Sequence, residues 1–208
     1  TEVIFGKNSE EQIGKMAKKY GARVMVDDAH GLGVLGEGGR GTASHFGLEN
    51  EVDIYMGTFS KSLASLGGYM AASAEVCDYV RHASRPFIFS ASITPASCAT
   101  ALAALKHLEA HPELVTRLNN LATYMREGLK ARGVNIIDAP TPVVPIYTYE
   151  EIPTLQKAKE LFERGVYVNP ALPPATAPHE CLLRTSLMST LTEDLLDEAM
   201  DIIKEVVL

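Results

Sequence analysis

Short apolar runs that alternate with helix-like segments constrain the fold of this chain more than any other feature. Residues 24–26 and 52–56 are runs of the kind found in buried parallel strands, and a third run surrounds residues 69–71. Thr94 and Pro95 form a strong helix start, because a capping hydroxyl precedes a proline at the first helical position. Strands that alternate with helices predict an α/β fold with a mainly parallel sheet.

Further elements are predicted on both sides of residue 110, where the pattern changes. Upstream, the predicted helices run from a capping box at residues 9–12 to Gly21, over residues 74–83, and from Pro95 to about residue 111. Downstream, the predicted elements are a helix over 112–133, a strand over 143–146, a helix over 154–164, a strand over 182–187 and a helix capped by Thr192. The 208 residues are therefore predicted to form two domains, part of a large domain over 1–110 and a small α+β domain over 111–208.

The composition argues against several classes of protein. The formal charge of −7 disfavours nucleic-acid binding, which needs a basic face. Cys77, Cys98 and Cys181 are widely separated, which favours reduced thiols in a cytoplasmic protein over a zinc site. The sequence shows no signal peptide and no apolar run as long as a membrane span. Because the chain opens on an apolar run at residues 3–5 without an initiator Met, we expect a fragment that begins inside a domain.

The segment from Gly57 to Lys61 is the most informative about chemistry. A lysine held against an apolar sheet has its charged form disfavoured by desolvation, and the neutral amine is the nucleophile that a Schiff base requires. Thr58 and Ser60 place hydroxyls beside it, where they could bind a phosphate. The alternative is a surface lysine in a turn after a strand.

Asp27 and His30 follow the first predicted strand. A carboxylate keeps the ring nitrogen of pyridoxal phosphate (PLP) protonated, so that the cofactor can act as an electron sink, and Asp27 suits that role. His30 could contact the ring oxygen or the substrate, and Asp28 is expected to face solvent or to be structural. A metal site is the rival interpretation, although no further ligands cluster nearby. Asp27 and Lys61 both lie just past predicted strand ends, so topology would let them face one site.

Residues 31–36 match the GxGxxG pattern, and Glu51 lies twenty residues beyond the first glycine. A dinucleotide fingerprint would need a helix that opens at the third glycine. The stretch at residues 37–41 cannot readily begin a helix, because three of its five residues are glycine. The match is therefore interpreted as accidental, and the stretch as a loop.

Two further groups of residues could bind anions. A hydroxyl-rich turn before a helix N-terminus contains Ser90, Ser92 and Thr94. These hydroxyls could bind a phosphate, or they could simply cap the helix. Arg184 is flanked by apolar residues in a predicted strand, where a charged residue is seldom buried without a partner. Its guanidinium could hold a carboxylate through two hydrogen bonds or form a structural ion pair.

Taken together, four motifs resemble those of the α-oxoamine synthases in order and spacing. They are residues 26–30, the glycine-rich loop that ends at 39–41, residues 57–63 with 67–69, and residues 183–185. The resemblance extends from about Lys18 to the last residue and corresponds to the C-terminal half of that family. It implies PLP as the cofactor, a type I fold like that of aspartate aminotransferase, and a homodimer.

The resemblance also implies roles for individual residues. Lys61 corresponds to the lysine that forms the Schiff base, Asp27 to the partner of the ring nitrogen, and His30 to the histidine near the ring oxygen. Arg184 corresponds to the arginine that holds the carboxylate of the amino acid. On the phosphate side the corresponding residues are Thr58 and Ser60, with Ser90 and Ser92 where the neighbouring subunit is expected to reach the phosphate.

Members of this family condense an amino acid with an acyl-CoA. Residues 167–176 and 182–184 most resemble the members that join L-serine to a long-chain acyl-CoA such as palmitoyl-CoA, with loss of carbon dioxide. A lipid product of that kind implies peripheral contact with a membrane. The alternatives within the family are members that transfer acetyl to glycine and members that form 8-amino-7-oxononanoate.

The chain also departs from the family pattern. Leu172 stands where an arginine near the carboxylate can occur, and residues 188–192 are short and lack a histidine. Residues 1–12 do not match the family's serine-containing segment, and the histidine that stacks on the cofactor ring would precede Thr1. A second class of function therefore stays open, a non-catalytic fragment or paralogue that keeps the fold for assembly.

Overall fold

The structure is a computed structural model of the chain, and it describes residue 14 and residues 16–208. The chain divides into two compact units, Thr1–Val115 and Thr116–Leu208. The predicted domain boundary at residue 110 stays a prediction. The predicted capping box at residues 9–12 lies outside the described residues, whereas residues 16–19 are helical as expected. Gly21 follows them with a φ of +64°, a left-handed conformation that favours glycine after a helix.

The first unit contains a small sheet flanked by short helices. Its elements in chain order are β1 (Met25–Asp27), a 3₁₀ turn (Glu37–Gly39), α1 (Thr42–Phe46), a second 3₁₀ turn (Glu49–Glu51), β2 (Ile54–Thr58), β3 (Gly68–Ala71), α2 (Ala74–Ala83), α3 (Arg85–Ile88) and α4 (Pro95–Ala110). The strand order is β1-β2-β3. β1 and β2 pair in parallel, as predicted, while β3 runs antiparallel to β2.

Hydroxyl caps fix the starts of the two longer helices of this unit. The Ser73 side chain accepts a hydrogen bond from the backbone N–H of Val76 at 3.4 Å and begins α2. The Thr94 side chain accepts one from the N–H of Ser97 at 3.3 Å and begins α4. The start predicted from Thr94 is therefore confirmed.

The second unit is an antiparallel sheet with three helices. Its elements are α5 (Glu113–Ala131), which contains the boundary between the units, β4 (Val143–Tyr149), α6 (Glu151–Glu163), β5 (Asn169–Ala171), β6 (Cys181–Ser186) and α7 (Glu193–Val207). The strand order is β4-β6-β5, with both pairs antiparallel. The sequence pattern missed β5, because Pro170 interrupts a strand of only three residues.

A continuous hydrophobic core lies on one face of this second sheet. Burial alternates along β4 and β6, which turns one set of side chains inward and the other set outward. The fully buried Ile146 and Leu183 of the sheet belong to the same core cluster as Leu129 of α5, Leu161 of α6 and Met200 of α7. Among the described residues, no helix combines the length and the apolar character needed to cross a bilayer.

Candidate functional site

The carboxyl ends of β1 and β2 meet at one edge of the first sheet. Asp27 is the last residue of β1 and lies opposite Met56 of β2. Because the two strands are parallel, the segments that follow them leave the sheet at the same edge, where α/β proteins bind ligands. The Asp27 side chain is exposed and accepts a hydrogen bond from the N–H of Ala29 at 3.1 Å. Its carboxylate is therefore accessible to a ligand at this edge.

Residues 59–67, which we name the lysine loop, follow β2 and contain Lys61. The backbone closes the loop, since the N–H of Phe59 donates to the carbonyl of Gly67 at 2.9 Å. The N–H of Ser65 donates to the carbonyl of Phe59 at 2.7 Å. Lys61 is exposed within this closed loop, so the expected burial of its amine against the sheet is not found in the first unit.

Two hydroxyls precede the lysine and are hydrogen-bonded to each other. The oxygens of Thr58 and Ser60 lie 2.8 Å apart, and the N–H of Ser60 donates to the Thr58 hydroxyl at 3.2 Å. The Thr58 hydroxyl also donates to the carbonyl of Gly67 at 3.1 Å. Because each hydroxyl has one proton, Thr58 donates to Gly67 and Ser60 donates to Thr58, so the two hydroxyls form an internally hydrogen-bonded pair beside the lysine.

Asp28 is buried and structural, and sequence reasoning left this open. Its carboxylate accepts hydrogen bonds from the N–H of Thr42 at 2.9 Å and from the Thr42 hydroxyl at 2.6 Å. A Cβ on Gly31 would lie 2.0 Å from one Asp28 oxygen, and a Cβ on Gly41 would lie 1.8 Å from the other. Glycine is required at both positions because the loop wraps closely around this carboxylate.

The GxGxxG match does not form a dinucleotide site. No helix opens at Gly36, because the next element is the 3₁₀ turn Glu37–Gly39 with non-helical Gly38. The following helix, α1, begins only after Gly41. The interpretation of residues 31–41 as a loop is confirmed.

The remaining candidates of the first unit are exposed. His30 lies three residues beyond Asp27 on the same connection. Ser90 and Ser92 lie between α3 and Thr94, the residue that caps α4. The roles of these three residues in cofactor binding stay predictions. No group of three or more His, Cys, Asp or Glu side chains could hold a metal in the part of the chain that the structure describes.

Tyr69 is a residue of this region whose packing the sequence did not reveal. A Cβ on Gly57 would lie 2.4 Å from the Tyr69 ring, so glycine within β2 lets the ring lie against the strand. The ring also stacks on Phe59 with centroids 5.9 Å apart. Burial raises the pKa of the Tyr69 hydroxyl above its usual value, and the negative charge of Asp28 adds to this.

Arg184 belongs to the second unit and lies in the central strand of its sheet. Its neighbours across the strands are Pro145 of β4 and Asn169 of β5. The alternation along β6 puts Arg184 on the face opposite the buried core residue Leu183. Its Nε is buried and has no hydrogen-bond partner among the described residues, and such a donor calls for an acceptor.

The sequence matches the aminotransferase class I and II family over residues 7–203. It is 48% identical over 205 residues to serine palmitoyltransferase from Sphingobacterium spiritivorum. That match covers 97% of this chain and 51% of the relative. It is 40% identical over 205 residues to 8-amino-7-oxononanoate synthase from Thermosipho melanesiensis, covering 97% of this chain and 52% of that protein. A solved structure of serine palmitoyltransferase with PLP as an internal aldimine matches with a TM-score of 0.90 at 33% identity, over 95% of this chain and 50% of that chain.

The chain spans about half the length of the curated relatives it matches, and the matched part is their C-terminal half, as predicted. The likeness to the solved structure confirms the predicted type I α/β fold. Serine palmitoyltransferase and 8-amino-7-oxononanoate synthase are both α-oxoamine synthases. Because the family match covers nearly the whole chain, this protein belongs to the aminotransferase class I and II family and, within it, to the α-oxoamine synthases.

Proposed function

We propose that this chain is the lysine-bearing part of a PLP-dependent acyltransferase. In this proposal the full-length protein condenses L-serine with a long-chain acyl-CoA and releases carbon dioxide, free CoA and a 3-keto amine. The observation that carries the proposal is the common sheet edge at which Asp27 and the lysine loop follow two parallel strands. That edge supplies the carboxylate, the hydroxyls and the amine that PLP requires, so the residues present fit the cofactor.

Each residue at this edge has a proposed task toward the cofactor. The Asp27 carboxylate would face the ring nitrogen and hold its proton, because an opposite charge favours the protonated form. His30 would lie beside the ring oxygen. The hydroxyls of Thr58 and Ser60 are the proposed contacts of the phosphate, and each would exchange its present hydrogen bond for one to a phosphate oxygen. The nitrogen of Lys61 would join the aldehyde carbon of PLP with loss of one water.

When bound, PLP withdraws electrons from the α-carbon of an amino acid. Arg184 is the proposed contact for the carboxylate of that amino acid, and its buried, unpartnered Nε supports this role. Ser90 and Ser92 would reach the phosphate across a homodimer. Cytoplasmic location and peripheral membrane contact for a lipid product belong to the same proposal.

The choice of L-serine with a long-chain acyl-CoA rests on relatedness and on residues 167–184. Identity to the serine palmitoyltransferases compared runs from 42% to 48%, against up to 42% for an 8-amino-7-oxononanoate synthase. That synthase is the second candidate. Acetyl transfer to glycine is a third candidate, and a non-catalytic paralogue a fourth.

A substrate panel on the full-length protein tests the proposal. Serine, glycine and alanine would be combined with palmitoyl-CoA, acetyl-CoA and pimeloyl-CoA, and release of free CoA would be followed. We expect the fastest turnover with serine and palmitoyl-CoA, and none in a Lys61→Ala variant. Faster turnover of glycine with acetyl-CoA, or of alanine with pimeloyl-CoA, would assign the protein to another member of the family. No turnover with any pair would favour the non-catalytic paralogue.

A further inference from the structure

Two serine hydroxyls tie the lysine loop to separate segments of the first unit. The Ser62 hydroxyl donates to the carbonyl oxygen of Leu32, in the glycine-rich loop, at 2.6 Å. The Ser65 hydroxyl donates to the carbonyl oxygen of Ser97, in the first turn of α4, at 2.6 Å. Both serines follow Lys61 within four residues, so the backbone just beyond the lysine is held from two sides.

Gly33 makes the first of these contacts possible. A Cβ at this position would lie 2.7 Å from the Ser62 Cβ and 3.0 Å from the Ser62 hydroxyl oxygen, so a side chain would push the two loops apart. Gly33 has a φ of +76°, and its N–H donates to the carbonyl of Gly39 at 2.7 Å. The Leu32 carbonyl is thus presented to Ser62 by a loop with its own internal hydrogen bond.

The segment between the two serines is also held in one conformation. Leu63 is buried, with 3% of its surface exposed. Ala64 has a φ of +47°, in the left-handed region that is unfavourable for alanine, and its N–H donates to the carbonyl of Lys61 at 3.0 Å. A strained residue persists only where its surroundings hold it, and here the two serines and Leu63 do so.

We propose that Ser62 and Ser65 are positioning residues for Lys61, which fix the backbone from which its flexible side chain extends. This inference rests on the proposed function, because it gives the fixed backbone the task of aiming the amine at the PLP aldehyde. A lysine side chain has many rotamers of similar energy, so the position of its backbone limits where the amine can reach. Small misplacements of reacting atoms slow a reaction strongly.

The test compares Ser62→Ala and Ser65→Ala with Ser73→Ala in the cofactor-free full-length protein. Ser73 is the matched control, because it also bonds to the backbone of the first unit but caps α2 outside the lysine loop. The first readout is the rate at which added PLP becomes attached to Lys61. This rate is measured by quenching samples with borohydride at successive times and analysing the peptides by mass spectrometry. The second is the rate at which a small amine-acylating reagent labels Lys61, which requires exposure of the amine and no particular orientation.

We expect each loop variant to slow PLP attachment about tenfold while small-reagent labelling changes less than about twofold, in line with the loss of one hydrogen bond. Ser65→Thr, which keeps the hydroxyl that Ser65→Ala removes, should restore attachment, and Ser73→Ala should behave like the unaltered protein. Unaltered attachment in both loop variants would overturn the inference, and so would an equal slowing in Ser73→Ala. Persistent PLP attachment in Lys61→Ala would instead overturn the proposed function itself.

Discussion

The two compact units differ in how completely they bury their apolar side chains. In Thr116–Leu208, one sheet and its helices enclose a continuous core that includes Leu183 and Met200. In the described part of Thr1–Val115, the buried apolar residues are five, two of them alanine: Leu35, Ala43, Leu63, Ala101 and Val115. Large apolar side chains are exposed in both units, for example Phe89 in the first and Phe162 in the second, so the difference lies in the size of the core. The second unit therefore has a core of its own, as independently folding domains do, and we expect the first unit to be unstable alone.

Separating the two units should change folding and association more than any single substitution does. We expect residues 111–208, which include all of α5, to unfold in one cooperative transition with urea. Residues 1–110 should bind a dye for exposed apolar surface and elute as a mixture of associated species, since uncovered strand edges and apolar faces promote association. Residues 1–208 together should bind PLP weakly and show no catalysis.

Size-exclusion chromatography and circular dichroism would check these three chains side by side. A monodisperse 1–110 species with a sharp unfolding transition would contradict the comparison. A 1–208 chain that binds PLP stoichiometrically and turns over serine would contradict it as well.

Shortening a core side chain of the second unit should lower the free energy of unfolding by several kilocalories per mole. Leu183 is fully buried in β6, while its neighbour Leu182 is half-buried on the opposite face. Leu183→Ala is expected to lower the free energy of unfolding by about 2–5 kcal/mol, because it leaves a cavity. Leu182→Ala, the matched control, should cost about 1 kcal/mol by urea unfolding. Equal effects would mean that the core is not confined to one face.

Arg184→Lys should weaken amino-acid binding and leave folding nearly unchanged. Lysine keeps the charge and loses the planar guanidinium, so the carboxylate loses a two-point contact. In the full-length protein we expect a loss of roughly 1.5–3 kcal/mol in binding, or roughly 10- to 150-fold in affinity, by spectroscopic titration with serine. Arg164→Lys is the control, since Arg164 pairs with Glu205 on the surface of the same unit. Unchanged affinity in Arg184→Lys would make Arg184 structural.

The smallest expected effect is a pH-dependent contribution of His179 to the stability of the second unit. Its Nδ1 lies 2.9 Å from a carboxylate oxygen of Glu150, and this hydrogen bond raises the pKa of His179 above its usual 6.5. Because the folded pKa is raised, the stabilisation is complete below about pH 6.5 and is lost as the pH rises through the folded pKa. An NMR titration should find the raised pKa, and Glu150→Gln should return it toward 6.5. A pKa unaffected by Glu150→Gln would contradict this pairing.

The sequence predicted local features well and long-range contacts poorly. Runs of apolar residues located β1 and β6, and the hydroxyl of Thr94 located the start of α4, because these signals are contained in a few neighbouring residues. The antiparallel direction of β3 depends on tertiary pairing and was not encoded in its short run.

The same distinction applies within the candidate site. The order of Asp27 and Lys61 after two apolar runs predicted their common sheet edge. The contact of Ser62 with Leu32 joins residues thirty positions apart, and the burial of Asp28 depends on Thr42, fourteen positions away. Contacts between residues so far apart in sequence leave no local pattern, so they become visible only in the folded structure.

The most direct test of the central claim is to identify the residue that holds PLP. The full-length protein would be saturated with PLP, reduced with borohydride, digested and analysed by peptide mass spectrometry. The account predicts a single phosphopyridoxyl modification on Lys61, in the loop that follows β2, with no visible cofactor band left in Lys61→Ala. A modification on any other lysine, or a cofactor band that survives in Lys61→Ala, would contradict it.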